Sequence, residues 1–289
     1  MKMDAALLKM IERYDCKTAH DYENALKEII QHLALLGLWR SKFFEHAAFY
    51  GGSALRIFHG IRRFSEDLDF SLTRKNSSFD LSPHVKMVEA ELLSFGFNVE
   101  VTRRQKHHSD IDSAFIKANT QENMFKMKAP ETVAERIQKD KLLKIKFEVD
   151  TTPPEGASYE TRTLLTPIPF QVELFTPPCL FAGKLHAILC RNWQSRVKGR
   201  DFYDFVWFIG NEIPCDITHL RLRMIDSGHL GGIDKFGHKE LLEHLRKRFS
   251  DVDFNQARKD VEPFIKDPDD LALWDRSFFT GLLPKLKCQ

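Results

Sequence analysis

Two aspartates, Asp67 and Asp69, stand two residues apart in the run Arg63-Phe-Ser-Glu-Asp-Leu-Asp-Phe-Ser-Leu72. The alternation over 67–72 predicts a strand, and alternate residues of a strand share a face. Asp67, Asp69 and Ser71 then point one way, while Leu68, Phe70 and Leu72 point into a core. Two carboxylates on one face, about 7 Å apart along the backbone, can converge on one cation. Hard cations such as Mg²⁺ take oxygen ligands, usually one or two carboxylates completed by substrate phosphates. Upstream, Gly51-Gly52-Ser53 lies between a short apolar run, Ala47–Tyr50, and a predicted short helix, Ser53–His59, closed by Gly60. Glycine lets the backbone approach phosphates closely, and a helix N-terminus offers free N–H donors and a positive dipole end. Ser53 adds a hydroxyl. Turn first and carboxylates next describe a triphosphate cradle beside a metal pair, the arrangement that in-line phosphoryl displacement needs.

A third carboxylate is expected from a neighbouring strand. The segment 142–149 alternates, with Leu143, Ile145, Phe147 and Val149 on one face and Lys144, Lys146, Glu148 and Asp150 on the other. Glu148, in mid-strand, is favoured over Asp150 near its end, and both remain candidates. Further along, Lys184 and Arg191 are seven apart in a predicted helix, so they share a face and can both reach phosphates. Asp201 and Asp204, three apart, share a face of the next helix. They can orient Lys184 or Arg200, or contact base or ribose. The competing reading is structural: acids at a helix start cap it and form ion pairs.

These residues need a scaffold, and the chain is long enough to build one. It has 289 residues, 43% hydrophobic and 29% charged, a globular composition whose 24 phenylalanines can fill a core. No apolar stretch approaches the roughly 18–20 residues of a membrane span. The N-terminal segment reads as the start of a helix rather than a secretory leader, which makes the cytoplasm the default location. Helical spacing appears over 21–39, with Asp21 as its cap, and over 81–95, with Gly96 as its stop. Further strands are predicted at 99–103 and 114–118. Beyond Pro177-Pro178 the pattern becomes helical, over 179–193, 201–209, 217–227, 239–249, 254–265 and 271–286. The expected class is α+β, a mixed-sheet domain over 1–176 followed by a helical bundle over 177–289.

Five scattered cysteines (16, 179, 190, 215 and 288), without a C-x-x-C pair, predict reduced thiols and neither a disulfide framework nor a zinc site. A net charge of +2 excludes a polyelectrolyte binder of nucleic acid. The basic residues do cluster: Arg103, Arg104, Lys106, His107 and His108; Arg196, Lys198 and Arg200; Arg246, Lys247 and Arg248. Each run reads as a solvated face unless the runs surround one cleft.

The turn followed by D-x-D resembles the signature of the nucleotidyltransferase superfamily. More narrowly, Gly-Gly-Ser-Ala-Leu-Arg56 with Arg63-Phe-Ser-Glu-Asp-Leu-Asp-Phe70 is similar to the AbiEii/AbiGii toxin family, which includes the MenT toxins. Lys184-Leu-His-Ala-Ile-Leu-Cys-Arg191 followed by Arg196-Val-Lys-Gly-Arg-Asp-Phe-Tyr-Asp204 is similar to that family's downstream motif. The resemblance covers roughly residues 45–210. It implies a DNA-polymerase-β-like nucleotidyltransferase domain with a C-terminal helical domain, and NTP and two Mg²⁺ ions as ligands. Asp67, Asp69 and Glu148 are then expected to hold metal. Gly51, Gly52, Ser53, Lys184, Arg191, Asp201 and Asp204 are expected to serve the nucleotide. An RNA acceptor such as the tRNA 3′ end and a cognate antitoxin are the expected partners. The rivals are an antibiotic-modifying nucleotidyltransferase and a non-catalytic nucleotide-binding regulator.

Overall fold

The structure is a computed structural model that describes residues 5–104, 110–127, 129–192, 197–232 and 235–289. Its first elements are α1 (Ala5–Glu12) and α2 (Ala19–Arg40), the latter buried on nearly every side. The cap of α2 is Thr18, whose hydroxyl accepts from the Asp21 N–H, while the Asp21 carboxylate accepts from the Thr18 N–H. Asp21 is thus the reciprocal member of a capping box rather than the cap itself. Next come β1 (Ala47–Tyr50), α3 (Gly51–His59), β2 (Leu68–Leu72), α4 (Ser82–Ser94), β3 (Val99–Arg104) and β4 (Ile111–Asn119). Two short helices, α5 (Thr120–Lys126) and α6 (Glu131–Ala134), lead to β5 (Leu142–Asp150), β6 (Tyr159–Leu164) and β7 (Phe170–Phe175). The seven strands of the described residues form one mixed sheet in the order β3-β4-β5-β2-β1-β7-β6.

Among the described residues six α-helices follow: α7 (Pro177–Cys190), α8 (Gly199–Gly210), α9 (Ile217–Asp226), α10 (His238–Asp251), α11 (Phe254–Val261) and α12 (Arg276–Leu282). Besides the expected 179–193 helix, which ends at Cys190, two expected helices are shorter than their apolar patterns. The 254–265 pattern leaves the α-helix at Val261, where Pro263 allows only a 3₁₀ turn, since proline lacks an N–H and clashes with the preceding turn. The 271–286 pattern breaks into a 3₁₀ turn at Pro268–Leu271, α12 capped by Asp275, and a second 3₁₀ turn around Pro284. Among the described residues no helix is long and apolar enough to cross a membrane.

The chain divides into two compact units. The first contains Met1–Ala54, Phe64–Pro153 and Thr161–Leu174; the second contains Leu55–Arg63, Pro154–Glu160 and Phe175–Gln289. In the first, the phenyl ring of Phe70 on β2 lies 5.0 Å from Phe49 on β1, 4.9 Å from Phe147 on β5 and 5.1 Å from Phe43. A one-residue slip of β2 would carry Phe70 out of this cluster and its acids into it, so the aromatic cluster specifies the register. In the second, Phe254 stacks on Phe279 at 4.6 Å, Phe202 meets Phe279 edge-on, and Phe181 stacks on Phe208 at 4.4 Å. Gly199 opens α8 where a Cβ would fall 1.8 Å from the Ala257 carbonyl oxygen of α11. Only glycine permits that approach, and it fixes the start of the helix that carries Asp201 and Asp204.

Candidate active site

The antiparallel pairing of β1 with β2 brings the end of one beside the start of the other, with Tyr50 opposite Asp69. Gly51 and Gly52, expected as a turn before a helix at Ser53, are themselves the first residues of α3, and they arrive beside Asp69 for topological reasons. Gly51 has φ +82°, the left-handed region that glycine enters without cost, and a Cβ there would lie 2.5 Å from Asp69 Oδ2. The Asp69 carboxylate occupies the space that any other residue at position 51 would fill. Asp67 sits just before β2, half-buried like Asp69. Ser53 is fully buried, and its hydroxyl donates to the Asp67 backbone carbonyl. Gln31 of α2 reaches the same place, donating to the Ser65 carbonyl at 3.0 Å and lying 3.5 Å from the Ser53 hydroxyl. Lys27, one helical turn earlier, pairs with Glu66 at 2.9 Å. The segment that delivers Asp67 is thus held from the turn and from α2 together.

β5 runs parallel to β2, with Asp69 opposite Glu148 and Ser71 opposite Asp150. Paired residues of adjacent strands project to the same face, so Glu148 stands in the row of Asp69 and Asp150 one row further on. The Glu148 carboxylate pairs with Lys146 at 2.7 Å, and Asp150 accepts from the Thr152 N–H at 3.0 Å. A half-buried patch of carboxylates beside a glycine turn suits a hard cation in its donor chemistry. Asp67, Asp69 and Glu148 carry carboxylate oxygens of the kind such a cation takes.

The downstream motif forms its own cluster inside the second unit. Lys184 Nζ lies 2.8 Å from Asp204 and 3.5 Å from Asp201. Arg191 is not helical, because α7 ends at Cys190 and Arg191 turns into extended backbone. Its guanidinium nevertheless donates to Asp201 at 2.6 Å. Asp204 is fully buried and takes a bidentate bond from Arg63, at 2.5 Å through Nε and 2.6 Å through Nη2. Burial alone would raise the Asp204 carboxyl, but the charges of Arg63 and Lys184 outweigh it and hold the group below the usual carboxylate range. Burial likewise works against the Arg63 charge, and Asp204 overrides it. Nothing in the spacing of Arg63 announces this partner, although it opens the same run as Asp67.

The described members of the basic runs are engaged in several places. Arg103 pairs with Asp80 at 2.9 Å and Asp112 at 2.7 Å, and Arg200 lies 4.2 Å over the Phe264 ring. Arg248 donates to the carbonyls of Ile188 and Arg191, which closes the end of α7. Lys106, His107, His108 and Arg196 lie outside the described residues.

Two crystal structures from Helicobacter pylori share the fold. JHP933 superposes with a TM-score of 0.52 at 16% identity, over 91% of this chain and 92% of its own. A candidate nucleotidyltransferase gives 0.51 at 16% identity, over 90% and 93%. No curated protein matches by sequence. The family model described as nucleotidyl transferase AbiEii toxin, of a type IV toxin–antitoxin system, matches residues 33–277. With that match over most of its length, the chain belongs to the AbiEii family and is a nucleotidyltransferase.

Proposed function

We propose that the chain transfers a nucleoside monophosphate from an NTP to a hydroxyl of RNA, such as the tRNA 3′ end, as the toxin of a toxin–antitoxin pair. The observation that carries this reading is the juxtaposition of Gly51, Asp69 and Glu148, in which a left-handed glycine, a carboxylate against it and a second carboxylate in register share one place. Asp67, Asp69 and Glu148 would hold Mg²⁺. The ions, when bound, neutralise the triphosphate and lower the pKa of the attacking hydroxyl. The backbone of Gly51 and Gly52 lies against the phosphates, and Ser53 keeps that turn fixed to the Asp67 carbonyl. Lys184 and Arg191 offer positive charge to phosphate, with Asp201 and Asp204 setting their positions. The protein's part is placement and charge, with no covalent intermediate on a side chain. A cognate antitoxin is the protein partner this family membership leads us to propose.

The test is transfer from each of four α-³²P-labelled NTPs, with Mg²⁺, to total cellular RNA, beside aminoglycosides as small acceptors. Label in a tRNA-sized band supports the reading. Label on the small acceptors alone would replace the RNA acceptor by an antibiotic-like one, and nucleotide binding without pyrophosphate release would leave a regulator.

A further inference from the structure

Away from the carboxylates, the second unit gathers a different set of ligands. His186 and Cys190 are one helical turn apart on α7, and His229 follows α9. Their ring nitrogens and sulfur all lie within 4.8 Å of one another. His186 and Cys190 are half-buried and His229 is exposed, so the set is anchored yet open to solvent. One hydroxyl, that of Ser227, lies among them, 2.9 Å from His186 Nε2, 3.0 Å from His229 Nδ1, and hydrogen-bonded to the Cys190 thiol. From these positions we infer that His186, Cys190 and His229 form a binding site for Zn²⁺ or a similar borderline-soft ion.

Tetrahedral zinc with two imidazoles and a thiolate holds its ligand atoms about 3.3–3.6 Å apart, so the three need to close by only about 1 Å. Rotation of the exposed His229 and of Ser227 about their side-chain bonds supplies that movement, and water takes the fourth position. The surroundings select the class of ion. The charges of Arg223 and Arg191 bear on His186, and those of Arg248 and Arg223 bear on Cys190. Two imidazoles and a thiol offer a hard cation such as Mg²⁺ or Ca²⁺ none of the oxygen donors it takes. Burial raises the free Cys190 thiol to about 11, with Arg248 and Arg223 opposing it, so the thiolate forms with the metal, and nitrogen and sulfur donors bind zinc largely through their lone pairs. Binding replaces the thiol proton of Cys190 by the metal, and the proton goes to solvent. Arg248 of α10 also donates to the carbonyls of Ile188 in α7 and of Arg191 just beyond it, which keeps the helix end that presents Cys190 in place. Local spacing, on which the expectation of no zinc site rests, hides the set, since the third ligand arrives from beyond two further helices.

The full-length chain, stripped with chelator, is titrated with Co²⁺ as a coloured substitute for zinc. The expected result is a thiolate-to-cobalt charge-transfer band that saturates at one equivalent and disappears when Zn²⁺ is added. Cys190→Ser abolishes the band. His229→Ala, at an exposed position, keeps the circular dichroism of the wild type and weakens cobalt binding at least about tenfold, the loss that removal of a mere second-shell partner already brings. Asp69→Asn leaves the band unchanged, which separates this site from the carboxylates. A wild-type spectrum without the thiolate band, or an undiminished band in Cys190→Ser, would overturn the assignment.

Discussion

The two motifs solve opposite problems with the same residue types. Around Gly51 the acids Asp69 and Glu148 are half-buried and paired in register beside an aromatic core. Around Asp204 the acid is wholly buried and surrounded by Arg63 and Lys184. A half-exposed carboxylate costs less to exchange than a buried one, which suits the ligand-binding role proposed for it. A buried carboxylate that neutralises two cations is a structural commitment first, whatever it does for a ligand. Asp201, touching both Lys184 and Arg191 near the start of α8, stands between these extremes.

The largest effect expected from this contrast is on stability. Arg63→Ala or Asp204→Ala leaves a buried charge without its partner, and breaking such a pair costs about 3–5 kcal/mol. Thermal unfolding should show it, and a shift no larger than that of a surface substitution would erase the contrast. Asp69→Asn should instead lower nucleotidyl transfer by about 10²–10³, as loss of one preorganised charged group does. Its melting temperature should stay within about 2 °C of wild type. Gly51→Ala combines both costs, because it forces an L-residue to positive φ, about 1–2 kcal/mol, and displaces the Asp69 carboxylate. A shift of about 1 Å in a reacting group can lower the rate about 10²-fold, so kcat should fall more than binding does.

The pH dependence has a definite sign. Asp204 is held below its ordinary value in the folded chain, so its contribution to stability is fully present above the unfolded carboxylate pKa of about 3.9. It is lost only as pH falls below that through the folded value. Acid titration of wild type and Asp204→Asn should therefore coincide in slope near neutrality and diverge below about pH 4. The smallest effect is the most discriminating for the third ligand. Lys146→Ala frees Glu148 from its cation and should tighten Mg²⁺ binding modestly, with a stability change within about 1 kcal/mol. Asp150→Ala should leave Mg²⁺ binding unchanged, and the reverse pattern would move the third ligand to Asp150.

What could be read in advance follows the range of the interactions. The alternation of 67–72, the glycine turn before it and the apolar face of α7 are local patterns, and the sequence carries them directly. Helix ends inside long apolar patterns were harder to place, because Pro263 and Pro284 interrupt the α-helix without interrupting its hydrophobic spacing. The pairing of Asp69 with Glu148 depends on a parallel register between distant strands, which the Phe70 cluster fixes and no local pattern encodes. The Arg63–Asp204 pair joins residues 141 apart. An arginine that finds its partner at that separation looks, in sequence, like any surface charge. The reciprocal role of Asp21 was one hydrogen bond away from legible, since Thr18 and Asp21 together have the spacing of a capping box.

The central claim, that the Gly51–Asp69–Glu148 face is the reacting site while the Asp204 cluster is its structural counterpart, is tested most directly by one paired measurement. Label transfer from α-³²P NTP and thermal unfolding are recorded on the same preparations of wild type, Asp69→Asn and Asp204→Asn. The account predicts that Asp69→Asn melts like wild type and transfers almost no label, while Asp204→Asn melts well below both. Wild-type transfer by a folded Asp69→Asn would contradict it.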